Sequence, residues 1–274
     1  MSDDEITSDV VRARLSSVLV GIREDARPWT LDLRPGRHLF VNGTTGAGKS
    51  SLVWSILWAL ADLIRAGWIE VSAFDPKVVE LRPLRATGLG TVCTLVQDMP
   101  ARLEALVGEM DARCDRSTGR DHVISLAEPV RVVIVDELAT LTALAPDAKD
   151  RKRVDAALGA LLSRGRAAGY LVVLTSVEAT KEVVRWRLLC DNRVCYRTAE
   201  DSGDLVFGEG SHDAGIRPKE IPWSLPGVAY ADCGPDGVLR VRTLHITDEH
   251  IAALTPQATD SNDAKVIRID RSAS

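Results

Sequence analysis

Apolar residues along this chain fall into two rhythms. Short runs that are apolar at nearly every position alternate with longer stretches in which apolar residues recur every three or four. "HLFVN" (38–42), "VRVVIV" (130–135) and "YLVVLTS" (170–176) are of the first kind, and "GWIEVSAF" (67–74) alternates up to Phe74. Runs this rich in Val, Ile and Leu predict strands buried on both faces, as in a parallel sheet covered by helices. Between them, 49–65, 99–113 and 152–169 carry the helical period, and Gly67 and Gly169 close two of these helices. Strands alternating with helices predict an α/β fold with a mainly parallel central sheet and helices on both faces.

The ends are less regular. "SDVVRARLSSVLVGI" (8–22) reads as a short amphipathic helix, and "PWTLDLRPGRHLFVNG" as two strands around a Pro-Gly turn. "GTVCTLV" adds a short strand before the helix at 99, and "NRVCYRT", "GVAYADC" and "VLRVRTLHI" add three after Ser176. Residues 255–274 lack periodicity and are expected to form a polar, disordered tail. The expected organisation is a helix and linker at 1–29, one α/β domain at 30–254, and that tail. One strand stops abruptly: Pro76, in Asp75-Pro76-Lys77, cannot donate to a ladder. The flanking acid and base are either strand punctuation or half of a site.

Composition narrows the class. With 274 residues, 45% hydrophobic and 27% charged, the chain can bury a full globular core. A net charge of -5 gives no global attraction for nucleic acid, yet a ring can confine its basic residues to a small inner surface. Five scattered cysteines without a C-x-x-C pair exclude zinc-type spacing and read as reduced thiols. The acidic start, MSDDEITSDVV, is no signal peptide, and the longest apolar run, Leu52 to Ile64, is too short to span a bilayer and contains Asp62. A cytoplasmic chain without its own membrane anchor is expected.

"GTTGAGKS" (43–50) then changes the picture, because it fits G-x-x-x-x-G-K-S between a buried strand and a helix. In this loop Gly43, Thr44, Thr45, Gly46, Ala47, Gly48, Lys49, Ser50 and Ser51 are the candidate ATP-binding residues. Glycines let successive N–H groups turn toward phosphates, and the helix N-terminus adds positive partial charge. Lys49 would reach the β- and γ-phosphates, and the Ser50 hydroxyl would ligate Mg²⁺. "VRVVIVDE" (130–137) brings Asp136 to a strand's C-terminal end, where an acid can hold the Mg²⁺ shell. Glu137 beside it is placed to polarise the attacking water.

"HLFVNGTTGAGKSS", "FDPKVVEL", "VVIVDELATL" and "SRGRAAGYLVVLTS" together resemble, in order and spacing, the FtsK/SpoIIIE-type DNA translocases. The resemblance runs over about residues 30 to 254, as far as "TLHITDEHIAAL". It implies a RecA-like P-loop ATPase that assembles as a hexameric ring and draws double-stranded DNA through its pore. A soluble motor of this size is similar to the reduced FtsK-like and TraB-like proteins of actinobacterial mobile elements and phages. Carried over residue by residue, Lys49 and Ser50 meet ATP and Mg²⁺, Asp136 the metal, and Glu137 acts as catalytic acid/base. Arg166 matches the arginine expected to reach a neighbour's phosphates, with Arg193 and Arg197 as substitutes. Capping the helix beside Gly169 is the plainer role for Arg166.

One position departs from that pattern. The family ends the strand after "GRAAG" with Thr-Gln, and here the pair is Ser176-Val177. Valine cannot bond a phosphate or water, so Ser176 is the candidate sensor. Candidate DNA contacts are Lys149, Arg151, Lys152 and Arg153, or "RCDRSTGRDH" with Arg113, Arg116 and Arg120. Each cluster also fits an ordinary solvated surface. Trp54 and Trp58 read as core or subunit-face residues, and the five histidines share no motif. The expected function is ATP-driven transport of duplex DNA in transfer or segregation. A genome-packaging or protein-secretion ATPase of the same superfamily is the sibling reading, and an ATP-binding scaffold with little turnover the third.

Overall fold

The computed structural model describes residues 6–117, 119, 122–143, 147–177, 179 and 185–256. Chain order gives α1 (Ser8–Leu15), β1 (Val18–Arg23), β2 (Pro28–Leu31), β3 (Leu39–Asn42), α2 (Lys49–Ala59), α3 (Ala61–Arg65), β4 (Ile69–Phe74), α4 (Leu84–Thr87) and β5 (Thr91–Cys93). Then come α5 (Met99–Arg116), β6 (Val130–Val135), α6 (Leu138–Ala143), α7 (Ala148–Ala168), β7 (Tyr170–Ser176) and β8 (Asn192–Tyr196). α8 (Gly203–Phe207), β9 (Val228–Asp232), β10 (Val238–Thr243) and α9 (Asp248–Ala253) complete the described α-helices and strands.

All ten strands form one sheet in the order β2-β1-β10-β9-β8-β3-β7-β6-β4-β5. The six strands from β8 to β5 run parallel, and β9, β10, β1 and β2 extend the sheet antiparallel. The two-faced core explains why the central runs are apolar at every position. Leu171 and Val173 of β7 pack on the face that also buries Leu52 and Ile56 of α2. Val172 and Leu174 point the other way, with Leu103 of α5 and Leu158 of α7. β3 and β6 divide their side chains in the same manner, so each strand needs apolar residues at both phases.

Two expectations at the N-terminus are corrected. The helix predicted over 8–22 ends at Leu15, and β1 follows, with Val18 and Val20 buried and Leu19 and Ile22 exposed. That alternation is a strand period; the apolar run of β1 extends the helical pattern of α1 by coincidence. The stretch expected as helix and linker is therefore packed into the sheet and core, with Val11, Leu15 and Trp29 buried. The two strands around the Pro-Gly turn exist, but β2 pairs with β1 at the edge while β3 lies in the centre.

The helix from Lys49 breaks once at Leu60, giving α2 and α3. α7 stops where expected, at Gly169, whose φ of 82° is left-handed. A Cβ there would fall 2.5 Å from the His122 ring, so glycine is required twice over. His38 is buried and structural. Val172 N–H donates to its Nδ1 at 2.9 Å, leaving Nε2 to donate to Leu162 O at 3.0 Å. Burial lowers its pKa to about 4, which keeps the ring neutral. Among the described residues no helix is long and apolar enough to cross a membrane. Residues 257–274 of the expected tail lie outside the described residues.

Candidate functional site

Parallel strands end together, and here the ends of β3, β7, β6 and β4 share one edge. The loop 43–48 follows β3, Asp136 and Glu137 follow β6, Asp75 to Lys77 follow β4, and Val177 follows β7. All four segments border a cleft of ≈ 820 Å³ whose far wall is the 242–251 segment. Thr45, Gly46, Gly48, Lys49, Ser50 and Ser51 line it, opposite Asp136 and Glu137.

The loop is built for backbone approach. Gly48 has a φ of 123°, and a Cβ on it would fall 2.8 Å from Gly227 Cα. No side chain caps the first turn of α2, so its leading N–H groups remain available to an anion. Lys49 Nζ donates to Gly43 O at 2.7 Å and Thr44 O at 3.3 Å. Burial pushes its pKa below the ordinary lysine range, a cost that a polyphosphate would offset.

The acids are tied together by a residue the sequence did not single out. Thr175 Oγ1 donates to Asp136 Oδ1 at 2.8 Å and accepts Glu137 N–H at 3.0 Å. Glu137 is buried and has a φ of 55°, in the left-handed region. A non-glycine residue pays about 1–3 kcal/mol for such a conformation, and such outliers gather at functional sites. Val177 N–H donates to Glu137 Oε1 at 3.1 Å, so position 177 contributes through its backbone. Lys77 Nζ lies 3.2 Å from Glu137 Oε2. Of the two readings of Asp75-Pro76-Lys77, the site reading thus gains a contact within the chain. Ser176 is fully buried beneath the loop, its carbonyl accepting Gly43 N–H at 3.1 Å.

Burial raises the Asp136 pKa to about 6, and the carboxylates of Asp75, Glu80 and Glu137 push the same way. A folded-state pKa above the unfolded value stabilises at low pH and is lost as pH rises through about 6. A nearby cation would offset the cost of ionising Asp136. Its carboxylate and the Ser50 hydroxyl are the hard oxygen donors that suit Mg²⁺, which takes one or two protein ligands and completes its shell with phosphates and water. Among the described residues no group of three His, Cys, Asp or Glu side chains is placed to hold a metal ion by itself. Asp136→Asn is expected to raise the stability of the nucleotide-free protein by about 1–2 kcal/mol at neutral pH. Thermal unfolding checks this: the variant melts higher than wild type at pH 7, and the gap narrows toward pH 5.

Three comparisons bear on this arrangement. The model of the FtsK/SpoIIIE family matches residues 4–128, which include the loop, Asp75 and Lys77. Over that stretch the chain matches the FtsK/SpoIIIE family. Transfer protein TraSA of Streptomyces ambofaciens is 30% identical over 256 residues, covering 83% of this chain and 60% of that protein. DNA translocase FtsK of Corynebacterium glutamicum is 28% identical over 294 residues, 94% of this chain and 30% of that protein. The chain thus spans between about a third and 60% of the length of these relatives. Among solved structures, the pCW3 conjugation coupling protein TcpA superposes with a TM-score of 0.71 at 20% identity, over 92% of this chain and 75% of that one. The cytoplasmic domain of the Thermomonospora curvata type VII secretion ATPase EccC gives 0.69 at 17% identity, over 94% and 33%. These two share the fold.

On the FtsK/SpoIIIE frame the remaining candidates separate. Arg166 sits in the last turn of α7 at the opposite edge of the sheet, beyond the full length of β7 and roughly 20 Å from the loop. It lines a basic cleft of ≈ 360 Å³ with Arg12, Arg34 and Arg37, where Asp191 is an acidic member. Arg193 pairs with Asp232 at 2.9 Å. Arg197 stacks 3.5 Å over the Trp223 ring and reaches Thr44 Oγ1 at 3.3 Å, so it serves its own loop.

The DNA candidates divide as well. Lys149, Arg151 and Lys152 are exposed on the first turns of α7, near the nucleotide edge. Arg153 is committed to Glu104 and Asp150, at 2.6 and 2.7 Å. Arg113 is buried, donating to Pro129 O and Ala168 O, which removes it from any DNA surface. Arg116 is exposed but paired with Glu128 at 2.9 Å, and Arg120 lies outside the described residues. Trp54 is buried and donates to Glu80 O, as a core role requires. Trp58 is 40% exposed and meets the His250 ring edge-on.

Proposed function

We propose that this protein is the ATPase motor of a double-stranded DNA translocase acting in DNA transfer or segregation. The carrying observation is the convergence of Lys49, Ser50, Asp136 and Glu137 on one cleft, with Thr175 bonded to both acids and the loop inside the FtsK/SpoIIIE match. The loop 43–51 binds the triphosphate of ATP, with Lys49 on the β- and γ-phosphates. Ser50 and Asp136 would hold Mg²⁺, which when bound would supply positive charge to the phosphates. Glu137 takes a proton from water as the water oxygen attacks the terminal phosphorus, and the electron pair of the broken bond leaves on ADP.

Arg166 acts on the nucleotide of a neighbouring copy. Its distance from its own loop and its place in a basic cleft support a contribution in trans, in a ring we take to be hexameric. Lys149, Arg151 and Lys152, repeated around that ring, supply a collar for backbone phosphates regardless of sequence. The motor unit runs from α1 to α9, because α1, β1 and β2 share its core.

Steady-state ATP hydrolysis with and without long duplex DNA tests the reading. Strong stimulation by DNA, lost in Lys49→Ala, is the expected result. Turnover indifferent to duplex of any length would reject the motor, and near-zero turnover throughout would favour the scaffold.

A further inference from the structure

We infer that Lys77 is a positioning residue for hydrolysis: it fixes the Glu137 carboxylate against the backbone of Val177. The inference rests on the reading of Glu137 as the water-activating group.

Asp75-Pro76-Lys77 does more than end β4. Asp75 is fully buried, and its carboxylate accepts three backbone N–H groups. Oδ1 takes those of Lys77 at 3.1 Å and Val78 at 2.8 Å, and Oδ2 takes that of Leu81 at 3.1 Å. Val78 is held at a φ of 58°, a costly conformation for a β-branched residue. Trp54 ties the same loop to α2 through Glu80 O. A buried acid, a strained residue and a tryptophan thus shape one turn. That turn delivers the Lys77 ammonium to Glu137 Oε2 at 3.2 Å.

Glu137 is consequently gripped at both oxygens, Oε1 by the end of β7 and Oε2 by the end of β4. Two grips from separate strands fix the plane of the carboxylate as well as its position. Each oxygen keeps a lone pair for water, since a carboxylate offers about four acceptor sites. The pairing also answers a charge problem. Asp136, Asp75 and Glu80 already crowd this corner, and a triphosphate adds more negative charge. Lys49 also lies in the field of Glu137 and Asp136, but its ammonium donates to Gly43 and Thr44, so among the described residues Lys77 is the cation seen bonded to Glu137. An ordinary exposed ion pair is worth about 0–1 kcal/mol. This one has a buried acid with a side chain only 6% exposed, and Lys77 is aligned by a built loop.

The test compares Lys77→Met and Lys77→Arg, alone and with Glu137→Gln, by single-turnover hydrolysis and by fluorescent ATP-analogue binding. Lys77→Met is expected to slow the chemical step by about tenfold to a hundredfold, the scale of a displaced catalytic group. Nucleotide affinity should stay within about threefold, separating kcat from KM and showing that the half-exposed site still folds. Lys77→Arg should restore most of the rate, and Lys77→Met should cost nothing further once Glu137 is Gln. A wild-type rate in Lys77→Met, equal losses in the Met and Arg variants, or a full additional loss on the Glu137→Gln background would each overturn the assignment. A fast Glu137→Gln enzyme would overturn the reading of Glu137 as well. A slow one beside an unimpaired Lys77→Met would overturn the role of Lys77 alone.

Discussion

Glu137→Gln is expected to bind MgATP as tightly as wild type and to hydrolyse it about 10²–10⁴-fold more slowly, the usual contribution of a positioned acid–base group. The amide keeps the size of the side chain and an oxygen for the Val177 N–H, but it cannot take a proton from water. It also forfeits the ion pair with Lys77. Lys49→Ala fails differently, because it removes the cation that meets the phosphates and so loses binding itself. Analogue titration and single-turnover kinetics on both variants separate the two failures. Equal turnover in Glu137→Gln and wild type would assign water activation to another group.

Arg166→Ala should likewise retain nucleotide binding while its turnover falls by about 10³-fold or more, the scale of an arginine supplied to a phosphoryl transfer in trans. The sharper result comes from mixing. An Arg166→Ala subunit keeps its own Glu137, and a Glu137→Gln neighbour keeps its Arg166, so some mixed interfaces have a complete site. Activity in the mixture above that of either pure variant is expected. Undiminished turnover in pure Arg166→Ala would end the assignment, and a silent mixture would place the arginine's action within one chain. The location of Arg166 beyond the far end of β7 makes the trans result the physical expectation.

The centre of this fold was legible because strands buried on both faces need apolar residues at both phases. β3, β6 and β7 carry that requirement in plain sequence. β1 was not legible, since Val18 and Ile22 continue the spacing of Val11 and Leu15 in α1 and only the two-residue alternation within 18–22 marks the change. The antiparallel extension of the sheet was hidden too. Strand existence is a local property, whereas the placement of β10 between β1 and β9 is decided by long-range pairing.

At the site, Lys49, Ser50, Asp136 and Glu137 could be read because their motifs fix spacing along the chain. Thr175 could not, since it meets the acids only after β6 and β7 pair in register, with Val135 opposite Leu174. The same holds for Lys77. β4 and β6 are neighbours, Phe74 beside Val135, and that register turns a strand-ending lysine into the partner of Glu137. Arg113 shows the converse error: a basic residue beside exposed ones in sequence is consumed by two backbone carbonyls in the interior.

Movement along DNA is the central claim, and displacement of a triplex-forming oligonucleotide measures it directly. A short third strand is annealed far from the end of a linear duplex, and its release is followed after adding protein and ATP. The account predicts release that requires ATP hydrolysis, is absent with Glu137→Gln, and persists on duplexes of unrelated sequence. Hydrolysis stimulated by DNA with the third strand left in place would contradict it.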